Sequence, residues 1–283
     1  MTPTMAPDIL CQWIGRSESV TDTIRLAPAH LMEMTLDRDP VLREGDALPP
    51  LWHWLYFLHS ARLSNLGRDG HPALGGFLPP VALPRRMWAG GRFGFIRDLT
   101  IGATATKHST IKAVQPKHGR TGSLCFVTVR HEIGDDPDAP ALWEEHDIVY
   151  RDDPKPGDTR RDLPIVDPDW PAATTFQASE VQLFRYSALT FNGHRIHYDR
   201  DYARNVEGHQ GLVLHGPLIA KLLAELAVLH SGGRPLRQFH FRAISPVYES
   251  NPITLHVRED GNTLSLVAAQ KTGDLAMQAT AKF

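Results

Sequence analysis

The chain has 283 residues, 42% hydrophobic and 22% charged, with a formal net charge of -2. That length fits one large domain or two small ones, and the composition is ordinary for a globular protein. The near-neutral charge implies no general field for nucleic acid or an anionic membrane. No run approaches the about 18 apolar residues of a membrane span, and no basic segment followed by an apolar core marks a signal peptide.

The only cysteines, Cys11 and Cys125, sit in apolar contexts, ILCQW and SLCFVTV. They read as small buried residues in a reducing compartment, and a cytoplasmic location is expected. Residues 8–16 (DILCQWIGR) and Ala27–Leu36 carry apolar groups at helical spacing. Ser17–Thr23 between them is polar. The run Leu51–Leu58 (LWHWLYFL) is apolar on nearly every side, so its period does not separate a buried strand from a covered helix. Its aromatics Trp52, Trp54 and Phe57 read as core. Residues 67–91 are rich in glycine and proline (GRDG, LGGFLPP, WAGG) and read as a long functional loop or lid, holding Arg85, Arg86 and Trp88.

Strand patterns dominate next, at Gly91–Leu99, Ala103–Val114, Ser123–Ile133 and Leu142–Arg151, with a hairpin connection at Lys117–Gly122. Residues 152–175 hold five prolines and many charges, as a linker would. Val181–Leu189 is read as a strand. Pro217–His230 (PLIAKLLAELAVLH) reads as a helix, with proline at its first position and Gly232-Gly233 past its end. Only Lys221 and Glu225 are charged there, so most of it should be buried. Four strands follow, at Arg237–Ile244, Ile253–Arg258, Thr263–Gln270 and Leu275–Phe283. A buried helix followed by consecutive antiparallel strands implies a curved sheet wrapped round that helix. Two such units give an α+β double arrangement, with units at 1–155 and 176–283 and a linker at 156–175.

The densest polar cluster is Tyr186–Ala203, YSALTFNGHRIHYDRDYA, which brings Asn192, His194, Arg195, His197, Tyr198 and Asp199 together. Gly211-Leu-Val-Leu-His-Gly216 follows shortly after it. The Asn192–His197 stretch, continued by Tyr198, Asp199 and Ala203, resembles the (R)-specific hydratase/dehydratase motif of MaoC-like hot-dog proteins. Gly211–Gly216 resembles the segment leading into the hot-dog helix of that family. Trp13–Arg16, Gly75–Leu78 and Pro84–Gly91 are similar to the branch of type-2 3-hydroxyacyl-thioester dehydratases and mesaconyl-C4-CoA hydratases. The resemblance implies a double hot-dog fold and reversible addition of water to a 2-enoyl-CoA, with a short branched dicarboxylic acyl group of mesaconyl or itaconyl type. It also implies a homodimer, with neither cofactor nor membrane or nucleic-acid partner.

The sequence departs from the family pattern at three places, with Asn192 for the acid, His194 for the asparagine and Arg195 for the proline. An amide orients water but exchanges no proton at neutral pH. Hydration needs a base for the attacking water, a proton for C2 and a donor for the enolate-like thioester oxygen. Histidine titrates near neutrality and suits both proton steps. His197 is therefore the expected base, Asn192 the group that orients water and His194 the reserve proton donor. The oxyanion donor is expected at the helix start, from a backbone N–H near His215-Gly216. This reading needs the His197 imidazole to face that amide across a gap wide enough for a thioester. Arg195 and Tyr198 complete the expected substrate site, with Arg85 and Arg86 for the phosphates of coenzyme A and Trp88 to stack on adenine.

Plainer readings stand beside these. His197 can be a structural histidine in a turn, Asn192 a turn residue bonding its own backbone, and Arg85-Arg86 a solvated pair. His194, His197, His209 and His215 lack a standard zinc spacing, so no metal is expected. Competing functions are dehydration of a 3-hydroxyacyl carrier-protein thioester, thioester hydrolysis, and acyl-CoA binding without turnover.

Overall fold

The computed structural model describes residues 7–119, 122–136, 139–153 and 162–283. The hairpin expected at Lys117–Gly122 and the segment expected as linker fall partly outside them. The described chain forms a short helix α1 (Pro7–Cys11), strand β1 (Ser17–Thr23), helix α2 (Leu26–Thr35) and strands β2 (Arg85–Phe95), β3 (Thr104–Gly119), β4 (Gly122–Gly134), β5 (Leu142–Arg151) and β6 (Ala172–Phe176). Helices α3 (Glu180–Leu189), α4 (Arg200–Asn205) and α5 (Gly216–Leu229) follow, then β7 (Gln238–Ala243), β8 (Ile253–Asp260), β9 (Thr263–Gln270) and β10 (Leu275–Lys282).

The strands make one ten-stranded antiparallel sheet in the order β1-β3-β4-β5-β2-β7-β10-β9-β8-β6. The order is the same read from either edge: β1 answers β6, β3 answers β8, β4 answers β9, β5 answers β10 and β2 answers β7. The repeat inferred from element order is thus written in the sheet, and its seam is the antiparallel pair β2–β7, Gly90 opposite Arg242 through Gly94 opposite Gln238. Alternation sets which face is covered. Along β4, Cys125, Val127 and Val129 are buried while their neighbours are half-buried.

Helix α5 packs against β7, β8, β9 and β10. Leu218, Ile219, Leu222, Leu223 and Leu226 are all buried, each contributing roughly 1.5–3 kcal/mol over leaving it in water. Pro217 suits its first turn because that N–H would lack a partner anyway. Lys221 is also buried, its ammonium bonded to Glu225 (2.6 Å) and lying over Trp52 (4.3 Å).

Several expectations need correction. Val181–Leu189 is helix, not strand: Ser179 and Gln182 form a reciprocal capping box, and Leu183, Tyr186 and Ser187 are buried at helical spacing. Leu51–Leu58 holds only one 3₁₀ turn, Trp52–Leu55, between left-handed Leu51 and Phe57. Its aromatics are core, as expected. The polar stretch Ser17–Thr23 is strand β1, paired with β3. Residues 85–91 belong to strand β2 and not to a loop. Ala172–Phe176, within the stretch read as linker, is an edge strand against β8.

Candidate active site

The site is built from two loops and a helix start. After α3 the chain turns at left-handed Phe191 and runs through Asn192–His194 into a 3₁₀ turn, Arg195–His197. Asp199 caps α4 by accepting from the Tyr202 amide at 2.9 Å. The segment before α5 lies alongside: the Val213 amide donates to the Ile196 carbonyl at 2.9 Å. That bond brings the His197 ring beside His215, the residue preceding α5.

His197 is buried, and its Nδ1 donates to the Val213 carbonyl at 2.7 Å. A carbonyl only accepts, so Nδ1 carries the proton and Nε2 keeps the lone pair. Burial, then the neighbouring charges of His215 and His194, hold the ring well below the usual histidine range. It is a neutral imidazole with a basic edge.

The expected gap between His197 and the helix start is not open on the ring's face. The His215 ring occupies it, centroid to centroid 3.6 Å. His215 is fully buried, its Nε2 shares a 2.9 Å hydrogen bond with the Ser187 hydroxyl, and its Nδ1 has no partner. Burial pushes its pKa down to about 3. Space lies instead at Gly216, where an added Cβ would meet nothing within 4 Å. Helix α5 has no side-chain cap, so its first amide keeps the unfulfilled donor character of a helix start.

Asn192 has the turn role: its side-chain oxygen accepts from the His194 amide at 3.0 Å, and its own amide donates to the Ser187 carbonyl at 2.8 Å. The His194 ring lies 5.4 Å from His197, edge to face, and its Nε2 is 3.4 Å from Glu207 Oε1. Arg195 is bound to Asp199 (2.7 Å), to the Arg68 carbonyl (3.2 Å) and over the Tyr202 ring (4.1 Å). Tyr198 is exposed and donates to the Gly193 carbonyl.

Arg85 and Arg86 are not a solvated pair. Arg85 is buried and donates to Glu207 Oε2 at 3.2 Å; Arg86 donates to the Pro72 carbonyl and lies 3.6 Å from Asp69. Trp88 is half-buried, its ring 3.8 Å from His146 and 4.7 Å from Trp54.

Three residues that the sequence does not single out belong to the cluster, Asp69, His71 and Glu207, together with His209, weighed above only as a metal ligand. Asp69 Oδ1 accepts from the His71 amide at 3.0 Å, and Oδ2 is 2.9 Å from His71 Nδ1. The His71 ring lies 4.4 Å from His194. Burial pushes the Glu207 carboxyl up, but hydrogen bonds from His194 and His209 outweigh it and hold the group well below the usual carboxylate range. The available signals were GRDGH, inside the loop flagged as functional, and Glu207-Gly-His209 just before the helix-lead segment. Asp69, His71 and His194 also offer ligand atoms within 4.8 Å of one another. Both Asp69 oxygens are already engaged by His71 and the carboxylate faces Arg86, an arrangement that suits an oriented imidazole better than a cation.

The sequence matches the family model for Hydroxyacyl-thioester dehydratase type 2 over residues 51–249. It is 46% identical over 272 residues, 95% of each chain, to a protein of Chloroflexus aurantiacus named mesaconyl-C(4)-CoA hydratase. It is 28% identical to the mitochondrial hydroxyacyl-thioester dehydratase type 2 of Schizosaccharomyces pombe, over 76% of this chain and 79% of that one. Among solved structures, the MaoC-like dehydratase of Phytophthora capsici superposes with a TM-score of 0.71 at 16% identity, covering 99% of this chain and 98% of that one. A Mycobacterium tuberculosis protein described as a double hotdog fold superposes with a TM-score of 0.58 at 14% identity, covering 95% and 96%. The fold is the expected α+β double hot-dog.

Proposed function

Because the chain belongs to the hydroxyacyl-thioester dehydratase type 2 family, we propose that it is a hydro-lyase adding water reversibly to a 2-enoyl-CoA whose acyl group is a short branched dicarboxylate, mesaconyl-C4 or itaconyl in type. The acyl class is supported by the 46% identity to the Chloroflexus aurantiacus hydratase along nearly the whole chain. One observation carries the chemistry. His197 gives its Nδ1 proton to a backbone carbonyl, leaving Nε2 as a fixed base beside the start of α5.

In the forward direction His197 Nε2 takes a proton from water as the oxygen bonds to C3. The Asn192 amide nitrogen remains a donor to hold that water, since only its oxygen is tied to the His194 amide. The electron pair of the double bond moves toward the thioester oxygen, which meets the first amide of α5 at Gly216, where there is room for it. One such donor is worth about 3 kcal/mol of transition-state stabilisation. C2 then takes a proton, which closes the balance of one water added. His194, Arg195 and Tyr198 shape the loop that carries the base.

The test is loss of the ultraviolet enoyl-thioester band on adding enzyme to mesaconyl-C4-CoA, with His197→Ala as control. Turnover abolished in that variant supports the assignment. Undiminished turnover removes His197 from the mechanism, and saturable binding without turnover of any thioester points to a binding module. A chain-length series offered on CoA and on carrier protein separates this reading from carrier-protein dehydration. We place the protein in the cytoplasm, where its free cysteines Cys11 and Cys125 would stay reduced. No helix among the described residues is long and apolar enough to cross a membrane. A homodimer is supported by exposed Leu31, Met34, Val181 and Phe184 on the adjoining helices α2 and α3.

A further inference from the structure

The proton for C2 has His194 as its expected reserve donor, but His194 Nε2 is turned to the Glu207 carboxylate at 3.4 Å, which leaves the role to another group. The family position for an acid holds Asn192, which cannot supply it. Glu207 is held ionised by its histidine neighbours and is not a proton donor near neutrality.

The loop 67–71 fits the role. Its backbone is pressed onto the motif loop: the Arg195 amide donates to the Asp69 carbonyl at 2.9 Å, and a Cβ at Gly70 would lie 2.0 Å from the Gly193 carbonyl oxygen. Such an approach is open only to glycine, and Gly70 has a φ of +86°. The loop closes on itself through the Gly67 amide and His71 carbonyl, 2.7 Å. One Asp69 carboxylate grips both the amide and the ring Nδ1 of His71. His71, His194, His197 and His215 then form a continuous row of rings, at successive centroid distances of 4.4, 5.4 and 3.6 Å. The His71 side chain is 25% exposed, and His194, His197 and His215 are buried. His71 is the end of the row that solvent can reload.

We infer that His71, oriented by Asp69, is the catalytic acid that protonates C2 in place of the missing family carboxyl. The inference rests on the hydratase reading. As His197 Nε2 accepts the proton of the attacking water and oxygen bonds to C3, His71 Nε2 gives its proton to C2. No electrons are exchanged with any other reagent; each turnover leaves one proton too many on His197 and one too few on His71, and release of the first to solvent with uptake of one by the exposed His71 ring closes the balance. The carboxylate on Nδ1 stabilises the imidazolium form, as such partners do in acid–base sites. The groups facing His71 are Asp69 from its own loop, Arg86 from β2 through Asp69, and His194 from the motif loop. Tyr150 and Tyr202, within electrostatic reach of Asp69, are pushed up by burial to about 12 and stay neutral.

The experiment is the pH profile of kcat for enoyl-CoA hydration in wild type, His71→Gln, Asp69→Asn and His197→Gln. His71→Gln is expected to lower kcat about 100-fold with KM within about threefold, and to remove the loss of rate at alkaline pH, which reports the acid's deprotonation. Asp69→Asn keeps an acceptor for the His71 amide but removes the anion, so the alkaline limb moves to lower pH. If wild type turns over and His197→Gln does not, while His71→Gln keeps kcat within about threefold, the role falls and the hydratase assignment survives. Should His71→Gln fail to fold, an Asp69→Asn profile identical to wild type overturns the inference by itself. Absence of turnover in wild type sinks the hydratase reading instead.

Discussion

The imidazoles of His197 and His215 lie face to face, 3.6 Å between centroids and 19° between planes. Two cations cannot share that stack, so at least one ring is neutral whenever the site is assembled, and burial makes both so. Ser187 holds the inner ring through a buried 2.9 Å hydrogen bond. Ser187→Ala leaves His215 Nε2 without a partner, next to an Nδ1 that already has none. An unsatisfied buried polar atom costs about 1–3 kcal/mol. The expected result is a Tm lower by several degrees and a lower kcat, measured by calorimetry and the enoyl-thioester band. A Tm within about 1 °C of wild type contradicts the bond's role.

Gly70 and Gly193 let the two loops meet backbone to backbone, beside the Arg195 guanidinium on the Arg68 carbonyl. Gly70→Ala puts a methyl 2.0 Å from the Gly193 carbonyl oxygen in a left-handed conformation. The loops must separate, which moves Asp69 and His71 away from His194. At Gly76 the same change meets nothing within 4 Å and no positive φ. Gly70→Ala is expected to lower both Tm and kcat strongly, while Gly76→Ala leaves both near wild type. Equal behaviour of the pair argues against loop docking as the cause.

What the sequence could and could not disclose follows from this geometry. Strand alternation, the apolar run of α5 and the polar density of 192–199 are local patterns, and each was readable. The seam between β2 and β7 and the meeting of loop 67–71 with loop 192–195 join residues more than a hundred positions apart. Nothing in the spacing of Asp69 and His71 announces His194 as a neighbour. An arginine pair in sequence likewise carries no sign of the carboxylates that Arg85 and Arg86 face, Glu207 and Asp69. Helix α3 was missed although Ser179 and Gln182 spell a capping box, because its β-branched and aromatic residues read as a strand.

Acid should unfold this protein early. His131 is held down at about 4, His146 and His215 at about 3, and His197 well below its ordinary value, in every case chiefly by burial. In the unfolded chain these rings take a proton near pH 6.5. Between the two values the unfolded state binds more protons, so stability is full above about 6.5 and drains as the pH falls toward 3. Each ring contributes roughly 1 kcal/mol per pH unit across its window. Denaturant midpoints at pH 8, 6 and 5 are expected to be highest at pH 8 and to fall with steepening slope. A midpoint unchanged from 8 to 5 means that these rings are solvated.

Arg85 separates a ligand-binding role from an internal one. Its guanidinium is buried against Glu207, with His194 and His209 on the same carboxylate. Removing one member of a buried pair strands the other and costs about 3–5 kcal/mol, whereas replacing both by apolar groups is often near neutral. Arg85→Met is therefore expected to lower Tm markedly, and the double variant Arg85→Met with Glu207→Leu to recover much of it. A phosphate-binding arginine behaves differently, since its loss raises KM for CoA thioesters but not for thioesters of pantetheine, which lacks the nucleotide phosphates. Equal KM changes on the two substrates, with kcat falling as the His194 partner is disturbed, are expected from the Glu207 network. A rise confined to the CoA substrate, at unchanged Tm, would put Arg85 at the nucleotide after all.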